Sequence, residues 1–240
     1  MGLLNAIIDL SHHNTVTSFA DAKAAEVVGV IHKATQGTEF TDATYDQHRA
    51  AAKGAGLLWG AYHFARRGDI PGQVDHFLSV ANLSPDELVV LDFEPNSTEG
   101  TMSLGEAERF ITLVQQRIGR PPGLYSGQSF LTDVVGKKTT TALAQAWLWM
   151  ARFASIPPTP PPAWQDFALW QYTDGNVGMQ PHQVLGIGRC DRDKFNGDET
   201  TLRTLWSNGT LRQDVTLAPR APVGKAPVMA VRRKKRRGSR

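Results

Sequence analysis

The sequence predicts an α/β fold, a single irregular TIM-like (β/α) barrel, and three observations point to it. Short apolar runs rich in β-branched residues recur along the chain, helical segments separate the early runs, and several runs end in an acid or an aromatic residue. Strands alternating with helices imply a parallel sheet. About eight of them suggest closure into a barrel, with fewer helices in the C-terminal half because the later connections are too short for regular ones.

In order, Ala6-Ile7-Ile8-Asp9 reads as strand one, and Ser18 can cap a short helix through Ala24-Ala25. Val27-Val28-Gly29-Val30-Ile31-His32-Lys33 is the β-branched second strand. A helix over residues 43–55 closes at the Gly54/Gly56 pair, and residues 57–64 form strand three. Pro71 opens a helix with Val74, Phe77, Leu78 and Ala81 at helical spacing. Leu88-Val89-Val90-Leu91-Asp92-Phe93-Glu94-Pro95 is strand four. Its apolar run suits a strand buried on both faces, and Pro95 should end it. Residues two apart on a strand share a face, so Asp92 and Glu94 should point the same way.

Ser103 and Glu106 match a capping box, and Leu104, Ala107, Phe110, Ile111, Val114 and Ile118 then share one helical face that ends at Gly119. Gly123-Leu124-Tyr125, residues 147–151 and residues 167–172 supply strands five to seven. Residues 184–191 are the expected eighth, ending at Asp191, with a final helix over residues 199–206. The proline-rich residues 156–162 read as a stiff loop, because a domain boundary there would part strand six from its later partners. One barrel domain, residues 1–210, is therefore expected, followed by a basic and disordered tail, residues 211–240.

Composition narrows the class. Of 240 residues, 41% are hydrophobic and 20% charged, as in ordinary globular chains. Cys190 is the only cysteine, which excludes an intrachain disulfide and a thiolate metal cluster. No run approaches the ~20 apolar residues of a membrane span. The start lacks a basic segment and cleavage site, so the expectation is synthesis in the cytoplasm without a signal peptide. Residues 218–240 carry nine Lys/Arg and no acid; taking these from the net +3 of the chain leaves −6 for residues 1–217. The basic stretch Arg232, Arg233, Lys234, Lys235, Arg236, Arg237 could engage an anionic envelope surface. It has no interleaved aromatic residues to suggest specific nucleic-acid recognition.

At the carboxyl ends of the strands stand Asp9, Lys33, Tyr62, Asp92 with Glu94, Tyr125, Trp149, Trp170-Gln171-Tyr172 and Asp191. In a barrel these ends share one rim. Paired acids among aromatic platforms suit glycosidic cleavage: one carboxyl protonates the leaving oxygen, another assists at the anomeric carbon, and flat rings stack on sugars. Crowded carboxylates also push one another's pKa apart. The seven histidines show no metal-ligand spacing, His63 reads as a satisfied polar residue at a strand end, and no cofactor is called for.

The ordered motifs Asp9-x-Ser11, Lys33-Ala34-Thr35-Gln36-Gly37, Gly60-Ala61-Tyr62-His63-Phe64, Leu91-Asp92-Phe93-Glu94, Tyr125-Ser126, Leu148-Trp149-x-Ala151-Arg152, Trp170-Gln171-Tyr172-Thr173 and Asp191-x-Asp193-x-Phe195-x-Gly197 together resemble the family 25 glycoside hydrolases, lysozymes of the muramidase type, over residues 5–206. The resemblance implies an irregular α/β barrel that cleaves the β-1,4 bond between N-acetylmuramic acid and N-acetylglucosamine in peptidoglycan. It implies Glu94 as general acid, with Asp92, Asp9 and Asp191 in the same site. Asp92 is left as either a nucleophile or a residue orienting a substrate acetamido group. Tyr62, Tyr125, Trp149, Trp170, Gln171 and Tyr172 are the expected substrate contacts, Tyr62 and Trp170 foremost. A phage or prophage endolysin acting on the cell wall is the expected setting. His12-His13-Asn14 stand where family members often carry Trp-Gln-Gly, which bears on one substrate subsite. The alternatives are a chitinase-like hexosaminidase, against which residues 89–91 lack the usual acids, and a silent glycan-binding module, which would not need four acids.

Overall fold

The first seven apolar runs become staves of a barrel in the computed structural model, which describes residues 2–209. Strand β1 (Leu3–Leu10) leads through α1 (Phe19–Ala24) to β2 (Gly29–Gln36), and α2 (Tyr45–Gly54) leads to β3 (Leu58–Phe64). Helix α3 (Ile70–Ala81) precedes β4 (Leu88–Asp92), and α4 (Leu104–Ile118) precedes β5 (Gly123–Gly127). A short α5 (Gln128–Val135) and a 3₁₀ turn over Ala142–Gln145 follow, then β6 (Trp147–Ala151) and β7 (Leu169–Thr173) with no regular helix between them. Strand β8 (Asp191–Asn196) and α6 (Glu199–Asn208) complete the described chain. The basic stretch, residues 232–237, lies outside the described residues.

Strands β1 to β7 pair in sequence order, all parallel, and β8 closes the ring between β7 and β1. The eighth strand corrects the sequence reading twice. It begins at Asp191 instead of ending there, and it runs antiparallel to both neighbours. Residues 184–191 supply only a small two-stranded ribbon, Gln183–Val184 against Gly188–Arg189. An antiparallel strand starts where parallel strands finish, so Asp191 still reaches the predicted rim. A third correction concerns β4, which ends at Asp92, so Glu94 sits in the following loop and not on the strand.

Local chemistry sets the helices. Ser103 accepts from the Glu106 backbone while Glu106 accepts from that of Ser103, so the capping box forms, and Gly119 ends α4 at φ 74°. Helix α3 starts with Asp69 capping Gly72 and Pro71 in its first turn.

The pleat then sorts side chains by parity. Ile8, Val30, Ala61, Leu91, Leu124, Leu148 and Trp170 face the layer between barrel and helices. Ile7, Ile31, Val90, Trp147 and Leu169 fill the interior. Gly123 has no Cβ because the Trp147 indole occupies that space inside the barrel. At the amino-terminal end of the parallel strands, α6 seals the barrel: Leu202, Leu205 and Trp206 join the interior cluster, and the Trp206 indole N–H donates to the Trp59 carbonyl at 2.7 Å. The opposite end stays open.

Candidate active site

Interior parity continues to the open rim, where it changes from apolar to polar. One residue farther along the inward face of each strand come Asp9, Lys33, Tyr62, Asp92, Tyr125, Trp149 and Gln171, with Asp191 at the start of β8. Together with Glu94 these line one cleft of about 280 Å³. All four predicted acids meet there, as do Tyr62, Tyr125, Trp149 and Gln171.

Trp170 and Tyr172 do not, which corrects their reading as sugar contacts. They flank Gln171 on β7, so the alternation that turns Gln171 inward turns them outward. Both are fully buried in the outer layer, where the Trp170 indole donates to the Arg152 carbonyl at 2.8 Å and the Lys194 ammonium lies 4.7 Å from the Tyr172 ring centre.

The cleft also holds residues not singled out as site residues. Ser11, His13 and Phe64 line it, as does Lys33. Asp193, beneath the rim on β8, has no solvent exposure. It is two residues from Asp191 in the motif Asp191-x-Asp193, and correct placement of β8 would have turned both inward.

A hydrogen-bonded line crosses the floor. The Tyr125 hydroxyl donates to Gln171 Oε1 at 2.8 Å, and Gln171 Nε2 donates to Asp9 Oδ2 at 2.9 Å. Asp9 faces Asp191 across the β1–β8 ladder, and Asp193 acts on it electrostatically. Burial, together with the neighbouring acids, raises Asp9 and Asp193 well above the usual carboxylate range and lifts Asp191 to about 9. Asp193 Oδ1 accepts from the Trp149 indole N–H at 2.7 Å, and that indole meets the Tyr125 ring edge-on at 4.6 Å.

On the other flank stand Asp92 and Glu94. Burial raises Glu94, opposed by the neighbouring Tyr125 hydroxyl and by the charge of Lys33. Burial raises Asp92 further, the Glu94 charge adds to it, and Lys33 opposes. Asp92 Oδ1 is buried without a hydrogen-bond partner. This pair therefore retains a proton above the ordinary carboxylate range. Lys33 itself is pushed down by burial; its ammonium bonds Gln36 Oε1 at 2.7 Å and lies 4.9 Å from the Phe64 ring centre. The Asp92–Glu94 pair can thus donate a proton, while Asp9 and Asp191, themselves raised by burial, face it across the cleft.

His63 and His12 serve the scaffold. His63 bonds Thr35 at 2.8 Å and Gln73 at 3.1 Å, as a satisfied polar residue, with burial pushing it down to about 3. His12 bonds Asp42 at 2.8 Å.

The family model for glycosyl hydrolases family 25 matches residues 8–179. Lysozyme M1 of Streptomyces globisporus is 31% identical over 217 residues, covering 84% of this chain and 71% of its own. Among solved structures, a family GH25 lysozyme from Aspergillus fumigatus superposes with a TM-score of 0.74 at 29% identity, covering 86% of this chain and all of that one. The CTP1L endolysin superposes with a TM-score of 0.66 at 25% identity, covering 86% of this chain and 70% of that one. With a cleft of acids at the open end of an eight-stranded barrel, and a family model spanning most of that barrel, the chain belongs to glycosyl hydrolases family 25.

Proposed function

We propose that the cleft hydrolyses peptidoglycan as a muramidase, breaking the β-1,4 bond from N-acetylmuramic acid to N-acetylglucosamine. The observation that carries this is the meeting of a proton-holding Asp92–Glu94 pair with Asp9 and Asp191 in one cleft. Family membership and the likeness to Lysozyme M1 support the choice of polymer. Glu94, on a loop and partly exposed, is the general acid that protonates the leaving oxygen. Asp92, more deeply buried with an unpartnered oxygen, assists at the anomeric carbon. Asp9 and Asp191 line the wall opposite the acid pair, and Tyr62, Tyr125, Trp149 and Gln171 shape the sugar site.

Digestion of purified peptidoglycan tests this. Wild type should release new reducing ends at muramic acid, and Glu94→Gln should lose at least ~100-fold, the usual contribution of a positioned acid. Full activity in the variant would overturn the assignment of Glu94; reducing ends at N-acetylglucosamine would overturn the bond.

An endolysin role is the biological setting we favour, supported by the likeness to the CTP1L endolysin. In that setting the basic residues 232–237 attach the enzyme to anionic envelope. Removing residues 218–240 should then reduce lysis of permeabilised cells and spare activity on purified wall. Equal loss on both substrates sinks the attachment role.

A further inference from the structure

A second depression opens directly beyond the acid loop. It has a volume of about 640 Å³, shares Glu94 and Tyr125 with the catalytic cleft, and continues along Gln128 and Phe130 to Arg152 and Phe153. The volume lies in the ordinary range of ligand sites. Its far wall is rigid. The Arg152 backbone N–H donates to the Gln171 carbonyl at 3.0 Å, the Arg152 carbonyl accepts from the Trp170 indole at 2.8 Å, and the Arg152 guanidinium donates to the Pro157 carbonyl at 3.0 Å. Gln128 braces the same proline-rich loop by accepting from the Thr159 backbone at 3.0 Å.

Two groups on this wall are held in place yet unspent. Phe153 is 39% exposed and, among the described residues, has no aromatic or cationic partner. The other exposed phenylalanine, Phe40, is covered by His12 and by the Lys33 ammonium. Arg152 forms no salt bridge among the described residues, and its one side-chain hydrogen bond goes to an uncharged carbonyl.

A general acid stands beside the oxygen that departs. A trough reached from the acid-lined cleft by crossing Glu94 therefore lies on the leaving side of the bond. Resting on the muramidase reading, we propose that this trough binds the leaving side of the glycan. Phe153 stacks on the N-acetylhexosamine next to the cleaved bond, and Arg152 meets a carboxylate of the muramyl residue beyond it. The trough thus selects an anionic N-acetylated polymer over a neutral one.

Steady-state kinetics on peptide-free glycan strands, whose lactyl carboxylates are free, provide the test. Phe153→Ala should raise KM about threefold to tenfold with kcat within about twofold, the range for losing one ring-stacking contact. Phe153→Trp should restore KM. Arg152→Gln should raise KM at low salt, with the difference from wild type fading at ~0.5 M salt, where charges are screened beyond a few ångströms. An unchanged KM in Phe153→Ala and Arg152→Gln, or a loss that Phe153→Trp does not restore, overturns the proposal. A wild-type enzyme that releases no muramic reducing ends in the same assay overturns the muramidase reading instead.

Discussion

Replacing Asp193 with asparagine should stabilise the protein, and only above acidic pH. Asp193 is fully buried, with Oδ1 occupied by the Trp149 indole and Oδ2 without a hydrogen-bond partner. Burial raises its folded pKa, so the folded state keeps a proton that the unfolded chain releases near pH 3.9. The folded state then binds more protons than the unfolded one, and stability falls as pH rises through that window. The cost is about 1.4 kcal/mol per pH unit above 3.9, or about 4 kcal/mol at pH 7 for a group still protonated there. Asparagine keeps an acceptor for Trp149 and offers a permanent donor to Asp9, so it needs no proton. If about half of the cost is regained after relaxation, Asp193→Asn should be about 2 kcal/mol more stable at pH 7. That corresponds to a Tm higher by roughly 4–8 °C for a domain of this size. At pH 4 the two proteins should melt within about a degree. Thermal unfolding of both proteins from pH 4 to pH 8 measures the difference. A lower Tm for the variant at pH 7, or a gain equal at pH 4 and pH 7, would show that Asp193 is not a proton-holding group.

The remaining predictions address the acid pair and the closed end of the barrel. Tyr125→Phe removes the neighbouring hydroxyl that lowers Glu94, so the basic limb of the kcat/KM profile should move to higher pH; a shift to lower pH refutes the assignment. Lys33→Met removes the cation that lowers both Asp92 and Glu94, so that limb should again move up, and an unmoved limb would show that Lys33 is electrostatically remote. Trp206→Ala deletes a buried indole and leaves the Trp59 carbonyl without its donor; a cost of about 3–5 kcal/mol is expected, read as a fall in Tm of roughly 10 °C.

Strands β1 to β7 were legible because each presents an apolar face to at least one layer, and outer-layer residues such as Ile8 and Leu91 alternate with inner ones such as Ile7 and Val90. Strand β8 was not. Its sequence Asp-Arg-Asp-Lys-Phe-Asn places acids on the inner face and cations on the outer, so a hydrophobic pattern never appears. Those cations are buried or half-buried only because Trp170 and Tyr172 of β7 lie under Lys194 and the Gln183 carbonyl accepts from Arg192. Both facts depend on strand pairing, which local sequence does not reveal. The same gap explains the misreading of Trp170 and Tyr172: an aromatic at a strand end looks alike whether it faces sugar or helix. Asp92 and Glu94 were found through their spacing, although the strand stops at Asp92 and the loop carries Glu94 into the same cleft.

The seam between β1 and β8 has a consequence for timing. Asp9 pairs directly with Asp191 in the sheet, although the two are separated by nearly the whole described chain. Until β8 has been synthesised, β1 and β7 each carry an open edge, and Asp9 lacks both of its neighbouring acids. A nascent or truncated chain that ends before Asp191 can form parallel staves but not the acid cluster. The hydrolytic centre is therefore among the last parts of the molecule to be completed, so incomplete chains should be bystanders to the polymer that the finished barrel attacks.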